Sequence, residues 1–226
     1  MLNILTAGVA PGIALLIYFY LKDQYNTEPV SVVFKVFIYG ALFVIPVMFI
    51  QYVIQAEGLF LSVWADAFFE KGMVEELIKW ALFLWLIYGH VDFDEPYDGI
   101  VYGVSISLGF ATLENILYLF SNGLEYAWGR AMFPVSSHGL FGVIMGFYFG
   151  KAKFQTQPRL KLTYMLTALF IPIALHGSFN YILMEQEKWY VYLIPFMFCL
   201  WGLGLWKVKK ARILTEKAFK QSFESV

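Results

Sequence analysis

The chain has 226 residues, of which 60% are hydrophobic and 20% aromatic, while only 15% are charged and the net charge is −1. Soluble domains carry about 25% charged residues, so this much Phe, Leu and Trp cannot be covered by polar surface in water, and a water-soluble enzyme is excluded. No basic stripe with interleaved aromatics is present, which argues against nucleic acid as a partner. The one cysteine, Cys199, excludes an internal disulfide or a cysteine-rich metal site.

Crossing about 30 Å of hydrocarbon takes roughly 20 apolar residues. In chain order, six runs meet that test: Ile4 to Tyr20, Val30 to Ile54, Ile100 to Phe120, Met132 to Phe149, Leu162 to Met184 and Trp189 to Trp206. The first lacks the basic flank and small-residue cleavage site of a secretory leader and is expected to be a retained helix. Between the second and third runs, Leu59 to Phe69 is aromatic-rich and suits the membrane interface, and Met73 to Tyr88 forms a weaker span interrupted by Glu75, Glu76 and Lys79. The expected fold is all-α: a polytopic transmembrane helical bundle of about seven spans. Continuous apolar runs, without alternation of period two, argue against a barrel. One transmembrane domain over 1–206 is expected to be followed by a basic tail, 207–226.

Lys and Arg collect on the cytoplasmic side of membrane proteins. Lys151, Lys153, Arg159 and Lys161 occupy one loop, and Lys207, Lys209, Lys210, Arg212, Lys217 and Lys220 occupy the tail. Both segments are therefore expected inside, which places the N-terminus outside and the C-terminus in the cytoplasm. The loop from Asp92 to Asp98 falls inside and reads as a solvated acidic turn around Pro96 and Gly99, in preference to a cation site.

Ionisable groups within spans cost about 2.5 to 3.5 kcal/mol each on insertion scales and mark function by default. Here they are Glu75, Glu76 and Lys79 on the third span, Glu114 on the fourth, His138 on the fifth and His176 on the sixth. Counted from the nearest outer helix end at 1.5 Å per residue, Glu114 and His138 lie about 9 Å deep and His176 about 12 Å. Glu75 and Glu76 lie about one turn down. All six groups therefore share one level in the outer half of the bilayer. Lys79 stands three and four positions after the two glutamates and can reach either. His138 heads a stripe with Gly142, Gly146 and Gly150 that permits close helix approach, while His176 and Asn180 share a face.

Carboxylates with imidazoles and no paired nucleophile suggest activated water. One glutamate would be the general base, the histidines and Asn180 would donate to the oxyanion, and Glu114 would orient a histidine or complete the water site. Ser136 and Ser137 point away from His138 on a helix, which disfavours a serine nucleophile. A zinc ion held by His138, His176 and Glu114 is the alternative, but no H-E-x-x-H pair is present and no cofactor is expected. Two non-hydrolytic readings compete: a scaffold or receptor with a buried polar network, and an ion-coupled transporter, for which no internal repeat is found.

At these residues the chain resembles the PrsW family of bacterial membrane proteases, within the wider group of CAAX prenyl proteases and bacteriocin-processing proteins. The resemblance rests on E-E-x-x-K at Glu75, Glu76 and Lys79 and on F-x-x-x-E-N at Phe110, Glu114 and Asn115. It continues through S-S-H-G at His138, L-H-G-S-F-N from Leu175 to Asn180, and the opening A-P-G-I-A-L-L-x-Y-F-Y-L-K-D, and so covers nearly the whole chain. The prenyl proteases carry an arginine and a histidine where Lys79 and Glu114 stand, so a CAAX-type peptidase with a cytoplasmic, lipidated substrate is the more distant reading. What the resemblance implies is site-1 cleavage of a single-pass, membrane-anchored anti-sigma factor on the extracytoplasmic side. That cut would lead to sigma-factor release in an envelope-stress response, in the plasma membrane of a bacterium.

Overall fold

The computed structural model describes residues 1–60, 62–185 and 187–224; Leu61, within the aromatic-rich interfacial segment, and the last two residues of the basic tail lie outside them. The described residues form ten α-helices and no strand. In chain order these are α1 (Leu2–Tyr20), α2 (Val30–Leu42), α3 (Val44–Ala56), α4 (Val63–Ala65), α5 (Val74–Leu86), α6 (Asp98–Asn122), α7 (Ala127–Arg130), α8 (Ser136–Lys153), α9 (Pro158–Glu185) and α10 (Trp189–Glu224). Among the described residues, six stretches are long and apolar enough to cross a membrane: Leu2–Tyr20, Val30–Ala56, Asp98–Asn122, Leu124–Lys153, Pro158–Glu185 and Trp189–Lys220. The chain is thus a polytopic helical bundle.

Three elements gain detail beyond their sequence reading. The second span breaks into α2 and α3 at Phe43. Pro46 has no N–H to give the carbonyl of Leu42, so the helical ladder is interrupted there. The interfacial segment is not a separate element from residue 63 onward, because residues 63–86 are helical throughout, with a π-helical stretch Asp66–Met73 between α4 and α5. The described part of the basic tail is helical: α10 runs without interruption past residue 206 to Glu224.

The bundle is built on α6 and α8, whose apolar windows are each 78% buried, against 22% for α1. Their contact is backbone to backbone. A Cβ at Gly142 would stand 2.6 Å from the carbonyl oxygen of Gly103, and one at Gly103 would stand 2.5 Å from that of Gly142. Gly99 meets Gly146 in the same way one turn further on. The glycine stripe below His138 thus has a matching stripe on α6, and only glycine fits on either side. On its other faces α6 receives α1 at Gly12 and α2 at Gly40, which leaves α3, α5 and α9 to close the bundle around Glu114 and His138.

Candidate active site

Four helices each bring one part of an ionisable cluster. Glu75 and Glu76 stand in the first turn of α5, directly after the π-helical stretch Asp66–Met73. His138 lies in the first turn of α8, just after a second π-helical stretch, Ala131–Val135. Pro134 accounts for that second irregularity, since it cannot bond the carbonyl of Arg130. Wider π turns rotate the side chains that follow them and recur at functional positions. Here they aim both motifs inward.

The cluster is wired by short contacts. Lys79 is fully buried, with Nζ 2.8 Å from Glu76 Oε1, 3.3 Å from Glu75 Oε2 and 3.0 Å from His138 Nδ1. Its ammonium also lies 4.3 Å above the Phe110 ring, so Phe110 supports it by a cation–π contact. His176 Nδ1 lies 2.9 Å from Glu76 Oε1, and the His176 ring stacks on Phe141 at 5.2 Å. His138 Nε2 lies 3.1 Å from Glu114 Oε2. Arg130 Nη2 donates to Glu114 Oε1 at 2.9 Å, so Glu114 is held from both sides.

These contacts decide the tautomers. Lysine has donors only, so His138 Nδ1 must accept from Lys79, and its proton sits on Nε2, donating to Glu114. Glu76 accepts from His176 Nδ1–H, which leaves the lone pair of His176 Nε2 free. That lone pair is 3.9 Å from Glu75 Oε2, and His138 Nε2 is 4.0 Å from the same oxygen. Both gaps are too long for a direct hydrogen bond and are of the width a bridging water spans. The gaps open on a cavity of about 290 Å³ lined by Glu75, Glu114, His138, His176 and Asn180, with Val47, Met48 and Leu183 on its apolar side.

Of the residues expected at the site, Glu75, Glu76, Lys79, Phe110, Glu114, His138, His176 and Asn180 come together around this cavity or directly behind it. Asn115 does not. Its amide donates to the Gly8 carbonyl at 3.1 Å and its oxygen accepts from Arg130 Nε at 3.3 Å, so it ties α6 to α1 and anchors Arg130. The Ser136 and Ser137 hydroxyls are spent on the carbonyls of Met132 and Pro134. Two partners were not foreseen. Arg130, which closes α7, clamps Glu114 and stacks on Tyr118 at 4.3 Å. Gln51 on α3 donates to Glu75 Oε1 at 3.3 Å; a lone amide in an apolar run was the available signal.

The metal alternative changes its ligands. Donor atoms of Glu75, Glu76, His138 and His176 lie within 4.8 Å of one another, and Glu114 is not part of that group. In number and type, two imidazoles and one carboxylate with an open position suit zinc, and Glu76 behind His176 suits the supporting shell. The ammonium of Lys79 does not suit it. With a donor on Nδ1, His138 carries its proton on Nε2, the nitrogen that an ion would need. As arranged, the cluster fits a water better than a metal ion.

Residues 28–203 match the family described as PrsW family intramembrane metalloprotease. The chain is similar to Protease PrsW of Geobacillus kaustophilus, 53% identical over 94% of this chain and 93% of the relative. The corresponding figures for Protease PrsW of Bacillus subtilis are 51%, 94% and 97%, and for that of Clostridioides difficile 32%, 88% and 87%. No solved structure gives a significant match.

Proposed function

The chain belongs to the PrsW family of intramembrane proteases, and within it we propose that this protein cuts a single-pass, membrane-anchored anti-sigma factor on the extracytoplasmic side, using a water activated by Glu75. The substrate class and the envelope-stress role follow from the family resemblance. The orientation, N-terminus outside and C-terminus cytoplasmic, follows from where Lys and Arg collect, taken with residues 63–86 as a seventh crossing beside the six apolar stretches. Fusing alkaline phosphatase or a fluorescent protein to the C-terminus tests it: cytoplasmic fluorescence is expected, and periplasmic-type phosphatase activity would overturn it.

One observation carries the chemistry. Glu75 Oε2 and the free lone pair of His176 Nε2 face each other across 3.9 Å on the cavity wall. A water between them donates one proton to each acceptor and keeps a lone pair free for a carbonyl carbon. As it attacks, Glu75 takes its proton as general base and returns it to the departing amine, a role worth about 10²- to 10⁴-fold in rate. The Asn180 amide, on the same wall, donates to the oxyanion. Glu76 touches no cavity atom; it positions His176 and neutralises Lys79. Glu114 and Arg130 hold the His138 ring.

A second reading is favoured by the convergence of four donor residues within 4.8 Å. In it, Glu75, His138 and His176 would hold a zinc ion, with His138 in its other tautomer, and the ion would supply Lewis-acid polarisation and a more acidic water. The two readings part in one experiment: cleavage of a single-pass anti-sigma substrate in liposomes by wild type, Glu75→Gln, Glu76→Gln and His176→Ala, with and without a strong chelator. Activity lost in folded variants and indifferent to chelator is expected. Loss on chelation, restored by zinc, would replace the water mechanism with the metal one. Full cutting by all three variants would overturn both.

A further inference from the structure

A second set of carboxylates lies at the far end of the bundle. Asp98 begins α6 and Glu114 follows 16 positions later, so the two sites are about 24 Å apart along one helix axis. Sequence alone made the segment Asp92 to Asp98 a solvated turn. Instead Asp98 is 0% exposed, Asp23 from the α1–α2 connection 5% and Glu28 3%, with Glu95 half-buried beside them. Carboxylate oxygens of Asp23, Glu95 and Asp98 all lie within 4.8 Å of one another.

These groups lack the cationic partners that buried, ionised carboxylates require. Among the described residues none of the four forms an ion pair with Lys or Arg; Arg212, on the neighbouring stretch of α10, is hydrogen-bonded to Gln24 instead. Neither oxygen of Asp23 has a hydrogen bond of good geometry, although the backbone N–H groups of Gln24, Tyr25 and Glu28 lie near. Asp98 Oδ2 accepts from the N–H groups of Asp94 and Glu95 at 2.9 and 2.5 Å, while its Oδ1 and Glu95 Oε2 have no partner. Glu28 accepts from the Tyr102 hydroxyl, and its carboxyl lies within hydrogen-bonding reach of that of Asp98. Several buried negative charges within 4.8 Å of one another repel strongly and are not tolerated bare; they must be offset by protons or by a cation.

We propose that Asp23, Glu95 and Asp98 form a binding site for a hard divalent cation, Ca²⁺ or Mg²⁺, that ties the α1–α2 connection to the foot of α6. The donor set is all oxygen, which selects these ions over zinc or copper. Two oxygens on one Ca²⁺ at 2.3–2.6 Å are at most about 5 Å apart, and about 4 Å on Mg²⁺. The observed spacing suits Ca²⁺ as it stands and Mg²⁺ after slight contraction.

The test is thermal unfolding of the full chain in nanodiscs, freed of metal and held at about pH 7.5, as Mg²⁺ or Ca²⁺ is added to millimolar levels. A saturable upward shift of several degrees is expected in wild type and in Glu75→Gln, and its loss in Asp23→Asn and Glu95→Gln. Glu95 is half-buried, so its variant keeps the test open if Asp23→Asn fails to fold. The proposal is overturned if wild type ignores both cations, if Glu95→Gln responds as wild type does, or if Glu75→Gln abolishes the shift. It is equally overturned if stability rises only on acidification from about pH 8 to about 6, since the carboxyls would then hold protons alone.

Discussion

Glu76 and His176 are one hundred residues apart in sequence, yet Oε1 of the first lies 2.9 Å from Nδ1 of the second, in a region closed to solvent. The same glutamate oxygen is 2.8 Å from Lys79 Nζ. One carboxylate therefore sets the tautomer of the histidine that faces the cavity and neutralises the lysine behind it. This is the part a third residue plays in a triad: it orients the reacting group without touching substrate.

Replacing Glu76 with Gln separates that role from general base catalysis. The amide can turn either its oxygen or its NH₂ to His176, so the Nε2 lone pair is no longer guaranteed. We expect kcat to fall by about 10²-fold or more with KM nearly unchanged. Steady-state cleavage in liposomes measures this, and ¹⁵N chemical shifts of the His176 ring report the tautomer directly.

The Lys79 environment makes a stability prediction. Lys79→Met leaves Glu75 and Glu76 buried without their cation and is expected to cost about 3–5 kcal/mol, as breaking a buried ion pair does. Adding Glu76→Leu removes part of that charge and should recover some of the loss. Denaturant titration of the single and double variants tests the coupling, and simple additivity would contradict it.

Arg130 acts through Glu114. Arg130→Ala frees Glu114, and with it the His138 ring, so cleavage should drop by roughly 10-fold while the fold is retained. Combining it with Glu114→Gln should cost little more than Glu114→Gln alone. Independent, multiplicative losses in rate assays would show that Arg130 works elsewhere, for instance on the substrate.

Gly146 tests the central seam. A methyl group there meets the Gly99 backbone, which cannot move aside as a flexible side chain can. Gly146→Ala is expected to destabilise by about 1–3 kcal/mol, visible as a lower melting temperature. The exposed Gly202, with open space where a Cβ would stand, should accept the same change at no cost.

The membrane spans and the ionisable cluster were legible because hydrocarbon makes charges inside a span costly: Glu75, Glu114, His138 and His176 stood out without any knowledge of contacts. Helix periodicity likewise set Lys79 against both glutamates and His138 above its glycines. Arg130 and Gln51 were not legible. The first precedes the apolar run read as the fifth span, where a charge carries no penalty, and only tertiary folding brings it to Glu114. The second is an uncharged amide, whose cost in a span is small. Asp98 misled for the opposite reason, since acidic residues beside proline and glycine are usually solvated, and its burial depends on Asp23 and Glu28 arriving from 70 or more positions away.

The glycine seam has a mechanical consequence. Where α6 and α8 touch through their backbones there is no layer of side chains to yield, so Glu114 and His138 keep one register like teeth on meshed gears. Any breathing that admits a transmembrane substrate must then come from the opposite wall. That wall is α3, detached from α2 at Phe43 and buried only at Val44 and Val47, and its Gln51 already holds Glu75. An α3 that swings outward would release Glu75, the base proposed above, as it opens the cavity, and would restore it on closing, so that on that proposal admission of substrate and arming of the water become a single movement.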